Sequence, residues 1–213
     1  ALNIFDEYSM ITPKNLVPYF GFTEDEVRTQ CDMHHINYED VKNWYDGYLL
    51  GSTHIYNPKS VSDLLTWKEF QSYWTGTETY EALKLYINLN FDGLKESILE
   101  MLGNAGCHID PTTFQNDMTT FVMKDDVLTL LVHLGYLTYD KKTEQVFIPN
   151  QEVAQEFLRA VKTGGWDRLM QPLSCPVSRL FQQMRLPQQH RPCNNKRHKI
   201  RNRRRIHGSV ESK

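Results

Sequence analysis

Asp125-Asp126-Val127-Leu128-Thr129-Leu130-Leu131-Val132-His133-Leu134-Gly135, then Tyr136-Leu137-Thr138-Tyr139, then Gln145-Val146-Phe147-Ile148, is the run that decides the fold. Val127, Leu128, Leu130 and Leu131 give the first part a helical apolar face, and Gly135 closes it. The two β-prone runs are separated by a polar loop, Asp140 to Glu144, which predicts a hairpin. Pro149-Asn150 ends the hairpin, and Asn150 is placed to cap a helix with Val153, Phe157, Leu158 and Val161 on one face. Helix, hairpin and helix, with a helix pair upstream, read as a winged helix.

Upstream, Thr23 and Glu26 have capping-box spacing, and acids fill the first turn, predicting a helix over about 24–31. Phe22 is spaced to staple onto Val27. A second helix is expected from Asn37 through Tyr38, Val41 and Trp44-Tyr45, until Gly47 breaks it. Asn57-Pro58 starts a third, with Val61, Leu64 and Leu65 on one face. Further helices are expected over 78–90 and 91–102, the latter ended by Gly103 and Gly106, and Cys107-His108-Ile109 reads as a short strand. Residues 1–12 read as a strand or linker end. The predicted class is mainly α with a small β-hairpin.

Charge divides the chain. Residues 171–213 carry 11 Lys/Arg and one acid, whereas residues 1–170 carry 13 Lys/Arg and 25 acids. The tail has four prolines, one aromatic residue (Phe181) and the run Arg203-Arg204-Arg205, and its lack of apolar periodicity predicts disorder. So abrupt a change is also what an out-of-frame translation would produce. The first residue is Ala1 rather than Met, so the natural N-terminus is expected upstream. Apolar runs fall far short of the roughly 20 residues needed to cross a bilayer, and four cysteines without metal or scaffold spacing fit a cytoplasmic setting. No membrane partner is expected.

The chemistry-bearing combinations are sparse. No glycine stands in the pattern that leads a phosphate loop into Lys-Ser/Thr. Cys31, His34 and His35 offer three of the four ligands zinc takes, and a helix end with surface histidines is the simpler reading. Asp40-Val41-Lys42 has the carboxylate-x-Lys order of a metal-dependent nuclease but falls in an expected helix, without a second acid on a neighbouring strand. A winged helix invites DNA binding, with Lys141, Lys142, Arg203, Arg204 and Arg205 as the candidate contacts. Against it, the expected reading helix opens on two acids, and the body carries a net −12 where phosphate contact needs Lys and Arg. Trp44, Tyr45 and Tyr48 read mostly as core, while Asp46 and Asn57, beside Gly47 and Pro58, read as turn-holding hydrogen-bonding groups.

Five ordered motifs carry a resemblance. They are Tyr19-Phe20-Gly21-Phe22-Thr23-Glu24-Asp25-Glu26-Val27; Trp44-Tyr45-Asp46-Gly47-Tyr48; Tyr56-Asn57-Pro58-Lys59-Ser60-Val61; Tyr73-Trp74 with Thr75-Gly76-Thr77; and Leu134-Gly135-Tyr136-Leu137 with Ile148-Pro149-Asn150-Gln151-Glu152-Val153. Over about residues 8–170 the chain resembles the C-terminal part of the bacterial AAA-ATPase-like family. The resemblance implies a fragment: the end of the ATPase core and a helical lid-like region over 1–90, a winged helix over 91–170, then the basic tail over 171–213. A P-loop core binding ATP and Mg would precede Ala1, and a PD-(D/E)xK nuclease-like domain would follow Met170. The implied partners are that N-terminal core and the nuclease-like domain or another protein; nucleic acid is a weaker candidate. No catalytic residue, cofactor or metal ligand is implied within this chain. The cluster from Trp44 to Pro58 would act as a structural hinge, and a plain interaction scaffold built on its aromatic residues is the other reading.

Overall fold

The computed structural model describes residues 8–73, 78–89, 91–115 and 120–166. Of the segment read as a strand or linker end, residues 1–7 lie outside the described residues and 8–12 are irregular with a bend at Met10-Ile11; a 3-10 turn follows at Lys14–Tyr19. Strand β1 (Phe22–Thr23) leads into helix α1 (Glu24–His34). The Glu26 carboxylate accepts from the Thr23 N–H at 2.8 Å and from its hydroxyl at 2.9 Å, as the spacing anticipates. The helix runs one turn beyond the expected end and stops where His35 turns left-handed. Asn37 caps α2 (Tyr38–Tyr45), and Asn57 caps α3 (Pro58–Trp67) by accepting from the Lys59 and Ser60 N–H groups. Pro58 occupies the first turn of α3, where its missing N–H matters least.

Between α2 and α3 the chain makes a hairpin, β2 (Tyr48–Leu50) and β3 (Thr53–Tyr56), with β3 central between β1 and β2 in an antiparallel sheet. The aromatic reading of residues 44–58 did not anticipate this sheet. Its strands are two to four residues long, too short for alternation to declare itself.

The second half contains α4 (Glu78–Ile87), α5 (Leu94–Leu102), β4 (Cys107–His108), α6 (Lys124–His133), β5 (Thr138–Asp140), β6 (Gln145–Phe147) and α7 (Gln151–Thr163). The strands pair antiparallel in the order β4-β6-β5. Helix, strand, helix, hairpin with the first strand beside the last is the winged-helix order. The hairpin begins two residues later than the aromatic run suggested, because Gly135 and Tyr136 are used in closing α6. Gly135 takes φ +80°, its N–H reaches the Val132 carbonyl, and the Tyr136 N–H reaches that of Leu131 at 2.8 Å.

Two buried clusters result. The larger gathers Leu83 and Ile87 of α4 with the apolar faces of α5, α6 and α7, and takes in Tyr48, Leu50 and Ile55 from the first sheet. The smaller holds Val27, Cys31, Val41, Tyr45, Tyr56, Val61 and Leu64. The expected division near residue 90 falls between α4 and α5, and both helices contribute to the larger cluster. Among the described residues no helix is long and apolar enough to cross a membrane. The expected tail, 171–213, lies outside the described residues.

The Asn57 cap satisfies two N–H groups at the start of α3, so Asn57→Ala is expected to lower stability by about 1 kcal/mol. Urea unfolding checks this; an unchanged midpoint would show that the cap contributes nothing.

Candidate functional site at the joint between the two cores

Residues 44–48 carry the chain from one cluster to the other. Tyr45 is fully buried in the smaller cluster and Tyr48 is buried in the larger. Between them the Asp46 carboxylate accepts from the Gly47 N–H at 2.6 Å and sits 3.1 Å from His54 Nδ1. Gly47 has φ +112°, and a Cβ there would lie 1.9 Å from the Pro149 carbonyl oxygen. Only glycine allows both the angle and the approach. Gly21 has a related task, since a Cβ on it would meet the Tyr56 carbonyl oxygen at 2.4 Å as β1 runs against β3.

The aromatic rings fill the smaller cluster around these backbone contacts. The Tyr45 ring stacks on Phe70 and its hydroxyl donates to the Gln71 carbonyl at 3.0 Å. Trp44, half-buried, leans on Tyr45 and Phe70. The fully buried Tyr56 meets Tyr38 hydroxyl to hydroxyl at 2.9 Å, and Tyr38 donates to Glu24, which also holds Arg28. The Arg28 guanidinium lies 3.8 Å from the centre of the Tyr38 ring. Burial pushes the Tyr45 and Tyr56 hydroxyls above the ordinary phenol range, and hydrogen bonds from Arg28 and then Tyr38 hold Glu24 below the usual carboxylate range.

From the other side, the first turn of α7 completes the joint. Asn150 caps the helix at the Val153 N–H, and Glu152 is fully buried. Glu152 Oε1 accepts from the Tyr73 N–H at 2.8 Å. Burial pushes its carboxyl up to about 7, with the adjacent Ser60 hydroxyl and the Tyr73 N–H acting in the opposite direction. Glu152 Oε2, Ser60 Oγ, Tyr48 Oη and Asn150 Nδ2 are buried without a hydrogen bond of good geometry. A further tie joins the two sheets: the Leu49 N–H donates to Thr138 Oγ1 at 2.7 Å.

Glu152, Ser60 and Tyr73 give the joint its polar centre, and sequence reasoning passed over the first two as sites. An acid in the first turn of an amphipathic helix reads as a solvent-facing partner of the helix dipole. Nothing in its spacing tells that a second core will cover it.

The structure draws several separated motifs onto one cleft of about 230 Å³, lined by Phe20, Tyr48, Tyr56, Asn57, Pro58 and Gly135 among others. Tyr136 is buried in the larger cluster. Lys141 and Lys142 stand apart, exposed in the hairpin turn. Trp74, Arg203, Arg204 and Arg205 lie outside the described residues. Cys31 is buried while His34 and His35 are exposed, and the described residues contain no group of three or more His, Cys, Asp or Glu placed to hold a metal ion. In α6, Asp126 through Val132 are all buried. Asp126 is occupied in accepting from the Val122 and Met123 N–H groups and the Thr113 hydroxyl. Comparisons with protein-family models, characterised proteins and solved structures find no match.

Two glycine substitutions separate backbone angle from close approach. Gly51 also has positive φ, at +67°, but open space around it, so Gly51→Ala is expected to destabilise by about 1 kcal/mol from the angle alone. Gly47→Ala adds a backbone clash and is expected to lose well over 3 kcal/mol, of order the largest single-site effects. Thermal or urea unfolding of both variants checks the difference; equal losses would show that the Gly47–Pro149 approach is not needed.

Proposed function

We propose that this chain is the lid and winged-helix segment of a AAA-ATPase-like protein, coupling nucleotide state to a partner or to a PD-(D/E)xK nuclease-like domain. The observation that carries the reading is convergence: motif residues from Phe20 to Asn150 meet at one joint between two cores. Protein interiors are close-packed, so displacement of one half must be absorbed or passed on where the halves touch. Here those contacts are backbone to backbone at Gly47 and Pro149 and buried polar at Glu152. ATP and Mg would be held by the P-loop core, whose phosphate loop has no counterpart in this sequence. The chain's own part is mechanical and requires no reacting group.

The winged helix as a DNA reader is the less favoured alternative. A groove-reading helix needs an exposed face carrying donors or cations. The buried run Asp126–Val132 leaves α6 without one, and among the described residues only the turn lysines, Lys141 and Lys142, support the alternative, beside the tail arginines Arg203, Arg204 and Arg205.

Titration calorimetry with ATP and Mg tests the reading on the purified chain. The expectation is no micromolar binding and no hydrolysis alone, together with binding to the P-loop core of the parent protein. That affinity is expected to change on the order of tenfold between ATP and ADP, within the usual span of coupling energies. Hydrolysis by the chain alone, or an affinity for the core indifferent to nucleotide, would contradict the proposal. A gel shift that persists after deletion of residues 171–213 would favour the DNA reading instead.

A further inference from the structure

We propose that Glu152 is a proton-operated pin between the two cores: neutral, it stays buried where the first turn of α7 meets Ser60 of α3 and the Tyr73 backbone, and ionised it drives that joint to open and admit water. The inference stands on placement and holds whether or not the family reading does. Glu152 has no exposed surface, yet it sits where α7 of the larger core meets α3 and the Tyr73 backbone. One carboxyl oxygen is satisfied by the Tyr73 N–H; the other is buried without a good partner beside the equally unpartnered Ser60 hydroxyl. The Ser60 hydroxyl and the Tyr73 N–H both favour a carboxylate, but complete burial outweighs them and keeps the proton on Glu152 while the joint is closed. Loss of the proton leaves a buried carboxylate, a state that favours admission of water and separation of the walls.

Of the groups facing Glu152, Glu156 acts in the same direction as burial, and Ser60, the Tyr73 N–H and Lys59 act against it without offsetting it. On its own helix stands Glu156, a second buried carboxyl, whose Oε1 is held by Arg159 at 2.8 Å. From α3 come Ser60 and Lys59, whose ammonium pairs with Asp63 rather than with Glu152. Tyr45 of α2, Tyr48 of β2 and Tyr73 complete the surroundings, and burial holds all three phenols neutral far above physiological pH. Among the described residues the walls therefore supply no cation in ion-pair contact with Glu152. Burial, ahead of the other influences, raises the Glu152 carboxyl from an ordinary 4.5 to about 7. The closed joint thus keeps its proton until about pH 7, whereas a hydrated carboxyl releases it near 4.5. Stabilisation is complete below about 4.5 and is lost as pH rises through 7.

Hydrogen exchange of the Tyr73 amide in the full chain reads the joint directly, because that N–H is the donor to Glu152. Corrected for intrinsic exchange, protection in the unaltered chain is expected to fall on the order of 50-fold from pH 5 to pH 8, at tenfold per pKa unit. In Glu152→Gln, which cannot ionise, protection should stay level across the same range. A level profile in the unaltered chain, or an undiminished slope in Glu152→Gln, would overturn the proposal. A carboxyl carbon NMR titration of the unaltered chain gives a check that needs no variant: a Glu152 midpoint near 7 supports the pin, and one near 4.5 refutes it.

Discussion

A Cβ placed on Gly47 would sit 1.9 Å from the carbonyl oxygen of Pro149, and this contact between two main chains governs how the rest of the molecule is assembled. It lies where the chain leaves the smaller core at Tyr45 and enters the larger at Tyr48. It also lies one residue before the Asn150 cap of α7, so the close approach adjoins the point where that helix begins. Asp46 holds the turn from one side through the Gly47 N–H. From the other side Glu152, two residues past the cap, reaches across to the Tyr73 N–H.

The joint is unusual in what it buries. Tyr48, Ser60, Asn150 and Glu152 each bring a polar atom into it, and their hydrogen-bonding capacity is only partly used. Such groups are expensive in a dry interior. The rise of the Glu152 carboxyl from 4.5 to about 7 corresponds to about 3 kcal/mol of stability present in acid and absent above neutrality. Against a typical net stability of about 5–15 kcal/mol, that is large enough to change how firmly the halves are held. An apolar residue in the same place would hold them equally at every pH. A polar joint of this kind suits a part that must shift under small changes in conditions.

Most of the helices were legible in the sequence because local chemistry announces their ends. Thr23 with Glu26, Asn37, Asn57 before Pro58, and Asn150 each start a helix where their spacing said one would start. The wing was legible too, from two β-prone runs around a polar loop. The first sheet was not, because Tyr48–Leu50 and Thr53–Tyr56 are too short to show a period and their aromatic residues suggest packing rather than pairing. The site was half legible. Gly47, Tyr48 and Asn150 could be singled out by residue type and surroundings. Glu152 and Ser60 could not, since their burial arises from the meeting of helices about 90 residues apart in the chain, which no local pattern records.

The central claim is that the joint binds the two cores into one cooperative unit. Native-state hydrogen exchange over a denaturant series measures this, by giving opening free energies for amides in α3 and in α7 separately. The account predicts that the slowest amides of both helices converge on one global unfolding free energy. If α1 to α3 opened at a distinctly lower free energy while α5 to α7 stayed protected, the cores would be independent and the joint would not be what holds the molecule together.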